Sequence, residues 1–257
     1  MSYADVNGLS LYYEEHGSGE PLVMLHGGIG ASETLAPIVP VLAADRRVIL
    51  VDLQGHGHTG DVDRPLRPAL MADDIAGLAS HLGLESLDLF GYSLGGGVAL
   101  RTAIQHPGLV RRLVLVSIAI RRDGNHPEVT AAFDQLTEAA AEPMKQSPLY
   151  AHYSQVAPRP EDWSVLIGKT GELLRDEYDW TDEIASVRAR TMLVYADADS
   201  VRPDHVIEFY GRLGGGLGDP GWDGSHPGPQ LAILPGATHY DVMMSPLLVP
   251  TVAGFLK

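Results

Sequence analysis

The chain has no cysteine among its 257 residues, which excludes disulfides, thiolate zinc sites, iron–sulfur clusters and a thiol nucleophile. Basic residues are scarce: 18 Lys and Arg stand against 33 Asp and Glu, a net charge of −15. Such a balance repels nucleic-acid phosphates and anionic lipid heads and reads as a solubility trait, so neither nucleic acid nor membrane is expected as a partner. The stretch from Met1 to Gly19 carries Glu14 and Glu15 and no continuous apolar run. No secretory signal or membrane span is predicted, and a cytoplasmic location is the expectation. Repeats with a period of roughly 20 to 50 residues are missing too, which excludes solenoids and propellers.

What the chain does have is a series of short apolar runs alternating with helix-like stretches. Residues 21–26, 47–52, 86–90, 113–117, 191–195 and 231–234 are continuously apolar or nearly so, as strands buried on both faces are. Between them, Met71, Ile75, Leu78 and Leu82 fall on one helical stripe, and Val206, Ile207 and Tyr210 on another. Strand and helix in alternation predict an α/β fold with a mostly parallel central sheet flanked by helices. Leu9 to Glu14 alternates at period two before Gly17-Ser18-Gly19 and predicts an edge hairpin strand. From 118 to 187 strand patterns vanish, and polar helix-like stretches carry Phe133, Leu136, Trp163, Leu173 and Leu174. The expected organisation is therefore a core of residues 1–117 and 188–257 with a helical cap of 118–187. Most cap side chains should close the cap's own core, and a minority should face the site below.

The chemistry is carried by Gly91-Tyr92-Ser93-Leu94-Gly95, which lies between the strand at 86–90 and a helix predicted from Gly96 to His106. A strand that passes into a helix without a loop must bend sharply at one residue. Glycines two positions away on each side remove the side chains that would collide. The bend exposes the Ser93 hydroxyl and aims unpartnered helix N-terminal amides at the same point. A serine needs a base within reach and a third group to fix the base's tautomer. Of eleven histidines, His239 has the best setting, in a loop directly after the strand at 231–234. The strand at 191–195 ends in Ala196-Asp197-Ala198-Asp199, which places two carboxylates at the same sheet edge. Asp199 is preferred and Asp197 read as a turn former or helix-start acid. Tyr92 and Tyr240, beside the nucleophile and base, are read as packing residues.

The order Ser93, Asp199, His239 together with the elbow resembles the α/β-hydrolase family over essentially the whole chain. That family follows its first buried strand with a His-Gly motif, matched here by His26-Gly27-Gly28-Ile29-Gly30. By resemblance the amides of Gly28 and Leu94 form an oxyanion hole, and His26 is structural. The family's Asp-x-Arg-Gly-x-Gly-x-Ser turn is present as Asp52-Leu53-Gln54-Gly55-His56-Gly57-His58-Thr59. Gln54 in place of arginine is expected to remove a cation that ties this loop down. A metal pair at His56 and His58 is disfavoured because no further ligand cluster accompanies it, so no metal is expected. The resemblance implies a serine hydrolase acting on a small-molecule carboxylic ester or lactone, with no cofactor. Alternatives within the fold are a carbon–carbon bond hydrolase and a cofactor-free haloperoxidase or perhydrolase. A non-catalytic small-ligand receptor is the alternative from another class. The glycine-rich stretch from Gly214 onward is expected on the face away from Ser93, as a surface excursion or subunit contact. Oligomeric state is left open.

Overall fold

The structure is a computed structural model that describes residues 2–219, 221–223 and 228–257. Eight strands form one sheet: β1 (Ser2–Val6), β2 (Leu9–His16), β3 (Glu20–Leu25), β4 (Arg46–Val51), β5 (Leu87–Tyr92), β6 (Val110–Val116), β7 (Arg190–Ala198) and β8 (Gln230–Thr238). Their spatial order is β1-β2-β4-β3-β5-β6-β7-β8. β1, β2 and β4 pair antiparallel, and the run from β4 to β8 is parallel throughout. The predicted edge hairpin exists, but the edge itself is β1, and β2 is the inner arm paired to β4. The turn between them, Asn7-Gly8, has φ of 50° and 79°, as a two-residue hairpin loop requires.

Helices are α1 (Val39–Leu42), α2 (Pro68–His81), α3 (Leu94–Gln105), α4 (Pro127–Gln135), α5 (Ala141–Met144), α6 (Pro148–Val156), α7 (Trp163–Arg175), α8 (Pro203–Arg212) and α9 (Leu248–Leu256). The apolar runs explain why they cover both faces. Within β3, Val23 and Leu25 point to one side, where they join Ile75 and Leu78 of α2, Val98 of α3 and Phe209 of α8. Leu22 and Met24 point to the other, with Leu42 of α1 and Val252 and Phe255 of α9. A strand alternating between two buried faces has to be apolar at every position, and each such side chain contributes about 1.5–3 kcal/mol by leaving water.

Chain order reverses in the sheet at β3, since β4 lies on one side of it and β5 on the other. The carboxyl ends of β3 and β5 therefore open a crevice, the place where open parallel sheets receive ligands. Helices α4 to α7 all fall between β6 and β7, two neighbouring strands that both lie on the β5 side of that crevice. Among the described residues no helix is long and apolar enough to cross a membrane. The glycine-rich stretch after α8 connects to the amino end of β8, the sheet edge away from the crevice. Residues 220 and 224–227 of it lie outside the described residues.

Candidate active site

A single residue joins β5 to α3. Ser93 has φ 52° and ψ −118°, a conformation that ordinary side chains avoid and that persists only where the surroundings enforce it. The enforcement is visible in its neighbours. A Cβ on Gly91 would lie 2.3 Å from the Gly95 carbonyl oxygen, and one on Gly95 would lie 2.5 Å from the carbonyl oxygens of Leu25 and His26. The Ser93 amide donates to Val116 O at 2.9 Å and the Gly95 amide to His26 O at 3.0 Å, which pins the elbow to the strands on both sides. Ile29 (φ 60°) and Ser117 (φ 54°) share the left-handed region. Among the described residues four non-glycines do so, and three of them, Ile29, Ser93 and Ser117, line one cavity.

The structure brings Ser93, His239 and Asp199 together from three strand ends. His239 Nε2 lies 3.1 Å from Ser93 Oγ, and its Nδ1 lies 3.1 Å from Asp199 Oδ1. An ionised carboxylate only accepts, so the ring proton sits on Nδ1 and the lone pair of Nε2 faces the serine. The loop carrying His239 is held twice. Tyr92 donates its hydroxyl to the His239 carbonyl at 2.6 Å, and Asp197 accepts from the amides of Gly236 at 2.9 Å and Ala237 at 3.2 Å. Asp197 is thus neither turn former nor helix-start acid: it ties β7 to the loop that carries His239. Burial drives the Tyr92 phenol upward and keeps it a donor. Tyr240, in contrast, is 82% exposed and is not packed into the core: it lines the cavity with its ring edge-on to His239, centroids 5.4 Å apart.

Asp199 is almost fully buried. Burial favours its neutral form, but hydrogen bonds from His239, Ser117 and the Ala196 amide outweigh that and hold its carboxyl below the usual range. The donors are Ser117 Oγ at 2.5 Å and Ala196 N at 3.0 Å, both on Oδ2. Ser200 Oγ stands 2.8 Å from His239 Nδ1 and 3.4 Å from Asp199 Oδ1, so it can accept from the Nδ1–H while donating its own O–H to the carboxylate. Neither serine was legible as part of the site. Ser117 only ends the apolar run at 113–117 and Ser200 only follows Asp199, and nothing local marks either. Replacement of Ser117 by alanine is expected to lower kcat about 10-fold with little change in KM, since Asp199 loses one of two donors fixing Oδ2. Steady-state kinetics decide this, and an unchanged kcat would contradict it.

Gly28 and Leu94 are neighbours in space: a Cβ on Gly28 would lie 3.8 Å from Leu94 Cβ. Among the described residues their amides donate to no protein acceptor, and both residues line the cavity that holds Ser93. That cavity measures about 680 Å³, within the usual range for small-molecule sites. Its far wall comes from the helical segment, with Phe133, Leu136, Leu173, Leu174 and Trp180. Tyr153, Trp163 and Leu166 instead bury themselves among the helices.

His26 is buried and structural, with Nδ1 2.7 Å from Gly27 O and Nε2 accepting from the Leu53 amide at 3.1 Å. His56 and His58 turn apart, His56 to the Gln54 carbonyl and His58 to Asp52. The cation expected to be missing at position 54 is supplied from elsewhere. Arg64 Nε donates to Gln54 Oε1 at 2.7 Å, Gln54 Nε2 donates to Asp61 at 2.8 Å, and Lys169 of α7 reaches Asp61 at 2.6 Å and two backbone carbonyls. The loop is therefore tied down, and tied to the helical segment.

Asp52 accepts from the amides of Ser32 at 2.7 Å and His58 at 2.8 Å and from the His58 ring at 2.9 Å. Against the effect of burial, these bonds lower its carboxyl to about 2, while the bond to Asp52 raises His58. A depressed carboxyl stabilises the fold above the unfolded value of about 4 and loses that contribution as pH falls through about 2, a term of about 2 kcal/mol. The raised imidazole contributes below about 6.5 and loses its share as pH rises through its folded value. Asp52→Asn is accordingly expected to destabilise most between about pH 4 and 6.5, with a narrowing gap toward pH 2 in urea midpoints. A gap independent of pH would contradict this.

Comparison with known proteins agrees with the fold. A family model described as the alpha/beta hydrolase fold matches residues 20–166. A 2-hydroxymuconate semialdehyde hydrolase of Pseudomonas sp. (strain CF600) is 39% identical over 116 residues, which cover 44% of this chain and 41% of that protein. Matches to several curated relatives span less than half of their length. Among solved structures, the enol-lactonase of Burkholderia xenovorans LB400 is similar with a TM-score of 0.74 and 20% identity, over 99% of both chains. A thermophilic esterase from Thermogutta terrifontis is similar with a TM-score of 0.73 and 22% identity, over 100% of this chain and 96% of that one. At these identities the two structures speak for the fold.

Proposed function

Given that the chain belongs to the α/β-hydrolase fold family, we propose that it is a serine hydrolase of a carboxylic ester or lactone, working through an acyl-enzyme. The observation that carries this reading is the continuous line of contacts from Ser93 Oγ through His239 to Asp199, 3.1 Å at each step, in a mostly apolar cavity. Residues 118–187 act as the cap and the rest of the chain as the core. Ser93 attacks the carbonyl while His239 Nε2 takes its proton, and Asp199 stabilises the imidazolium. The Gly28 and Leu94 amides receive the oxyanion, each donor being worth about 3–4 kcal/mol to the transition state. His239 then returns the proton to the leaving alcohol and activates water for deacylation. Each step uses a group already in position, and none calls for a cofactor.

A second reading is supported by the 39% identity to a 2-hydroxymuconate semialdehyde hydrolase, whose named substrate has no ester. On that reading the same serine and histidine serve carbon–carbon bond hydrolysis. Rates across esters of graded acyl length, lactones and a vinylogous diketone separate the two. The ester and lactone reading expects turnover on the first two classes, and turnover of the diketone alone would replace it with the second.

A further inference from the structure

Tyr240 stands next to the base, and no step of the proposed reaction uses it. Among the described large apolar side chains that are exposed, it is the one that lines the cavity. Its turn is fixed. The Thr238 amide and hydroxyl both donate to Asp241 Oδ1, at 2.6 and 2.9 Å, and the Tyr240 amide donates to Thr238 Oγ1 at 3.3 Å. With the Tyr92 bond to the His239 carbonyl, these contacts hold an aromatic residue beside His239 that is 82% exposed. Apolar surface left in water contributes nothing to folding, whereas a ligand that covers it gains the burial.

The direction of the reaction says which part of a substrate lies there. When the tetrahedral intermediate collapses, the bond from the carbonyl carbon to the alcohol oxygen breaks, and that oxygen takes the proton that His239 Nε2 received from Ser93. The alcohol therefore lies on the His239 side of Ser93, and the oxyanion lies at Gly28 and Leu94. Three cavity residues besides Ser93 adjoin the imidazole. Ser200 is buried and sits 2.8 Å from Nδ1, on the edge of the ring away from the serine. Tyr92 commits its hydroxyl to the His239 carbonyl. Tyr240, edge-on to the imidazole with centroids 5.4 Å apart, is the one left uncovered. We infer that Tyr240 is the wall of the leaving-group subsite and that the substrate is an open ester of a planar apolar alcohol, whose ring stacks on the tyrosine. Stacked aromatic faces attract beyond the area they bury. This rests on the reading of Ser93 as an acyl-transfer nucleophile and adds the class of alcohol to it.

The experiment compares methyl, cyclohexylmethyl and benzyl butyrate, whose alcohols have nearly the same acidity, so that rate differences report contacts made by the alcohol. Wild type is expected to favour benzyl over methyl in kcat/KM by about 10- to 100-fold, and benzyl over cyclohexylmethyl by about 2- to 10-fold. Tyr240→Ala is expected to bring both ratios to near parity, and Tyr240→Phe to keep them. A displaced His239 would slow the three esters alike and leave the ratios as they are. Replacement of so exposed a side chain is expected to leave folding intact. Calorimetry of the same esters on Ser93→Ala, with and without Tyr240→Ala, repeats the comparison without turnover. The inference is overturned if benzyl butyrate is preferred neither in turnover nor in binding, if cyclohexylmethyl butyrate matches it, if Tyr240→Ala keeps the preference, or if Tyr240→Phe loses it. Should every ester resist hydrolysis while calorimetry shows a benzyl preference that Tyr240→Ala removes, the acyl-transfer reading falls and the aryl contact at Tyr240 stands.

Discussion

Ser93→Ala is expected to lower turnover by about 10⁴-fold or more with the melting temperature unchanged. On the proposed mechanism, loss of Oγ removes the atom that forms the acyl-enzyme, and His239 then has no proton to accept. Folding is indifferent to that loss, because the Ser93 hydroxyl's contact is with the His239 ring, while the elbow is held by backbone bonds to Val116 and His26. The strained φ of 52° permits a companion measurement. Ser93→Gly is expected to be as inactive as the alanine variant yet to melt higher, since glycine adopts that conformation without the roughly 1–3 kcal/mol cost borne by other residues. A glycine variant less stable than the alanine variant would mean that the bend is relaxed and not enforced.

Asp199→Asn is expected to lower kcat by a comparable factor, about 10⁴-fold. The direction of the asparagine amide is decided by its neighbours. Ser117 and the Ala196 amide both donate to the Oδ2 position, so the amide oxygen settles there and the NH₂ group takes the place of Oδ1. That NH₂ faces His239 Nδ1, which must then accept, and the ring proton moves to Nε2. A histidine protonated on the nitrogen that faces the serine cannot act as its base. Asp197→Asn serves as the contrast. It is expected to keep most of the activity, since Asp197 holds only the amides of Gly236 and Ala237. If Asp199→Asn retained more than about a tenth of wild-type kcat, the tautomer argument would fail.

The parts legible in the sequence are those fixed by local pattern. Continuous apolar runs marked the parallel strands because both sheet faces are covered, and Gly91 with Gly95 marked the elbow because only glycine fits the approach. Asn7-Gly8 was an equally local signal and pointed to β1, which the alternation in β2 alone did not reveal. Other features depend on what meets across the fold. Ser117 and Ser200 acquire their roles only when β6, β7 and the His239 loop converge on one carboxylate. The loop cation is supplied by Arg64 and by Lys169 across more than 100 positions, so Gln54 read by itself as a loss. Ile29 at φ 60° goes against the preference of a β-branched residue, and no propensity foretells it.

The central claim is that Ser93 is a nucleophile activated by His239. Treatment with a fluorophosphonate followed by peptide mass mapping tests it most directly. One adduct per chain is expected, on the peptide that carries Ser93, with labelling abolished in Ser93→Ala and strongly slowed in His239→Ala. A folded wild-type protein that stays unlabelled, or one that carries the adduct on another residue, would contradict the account.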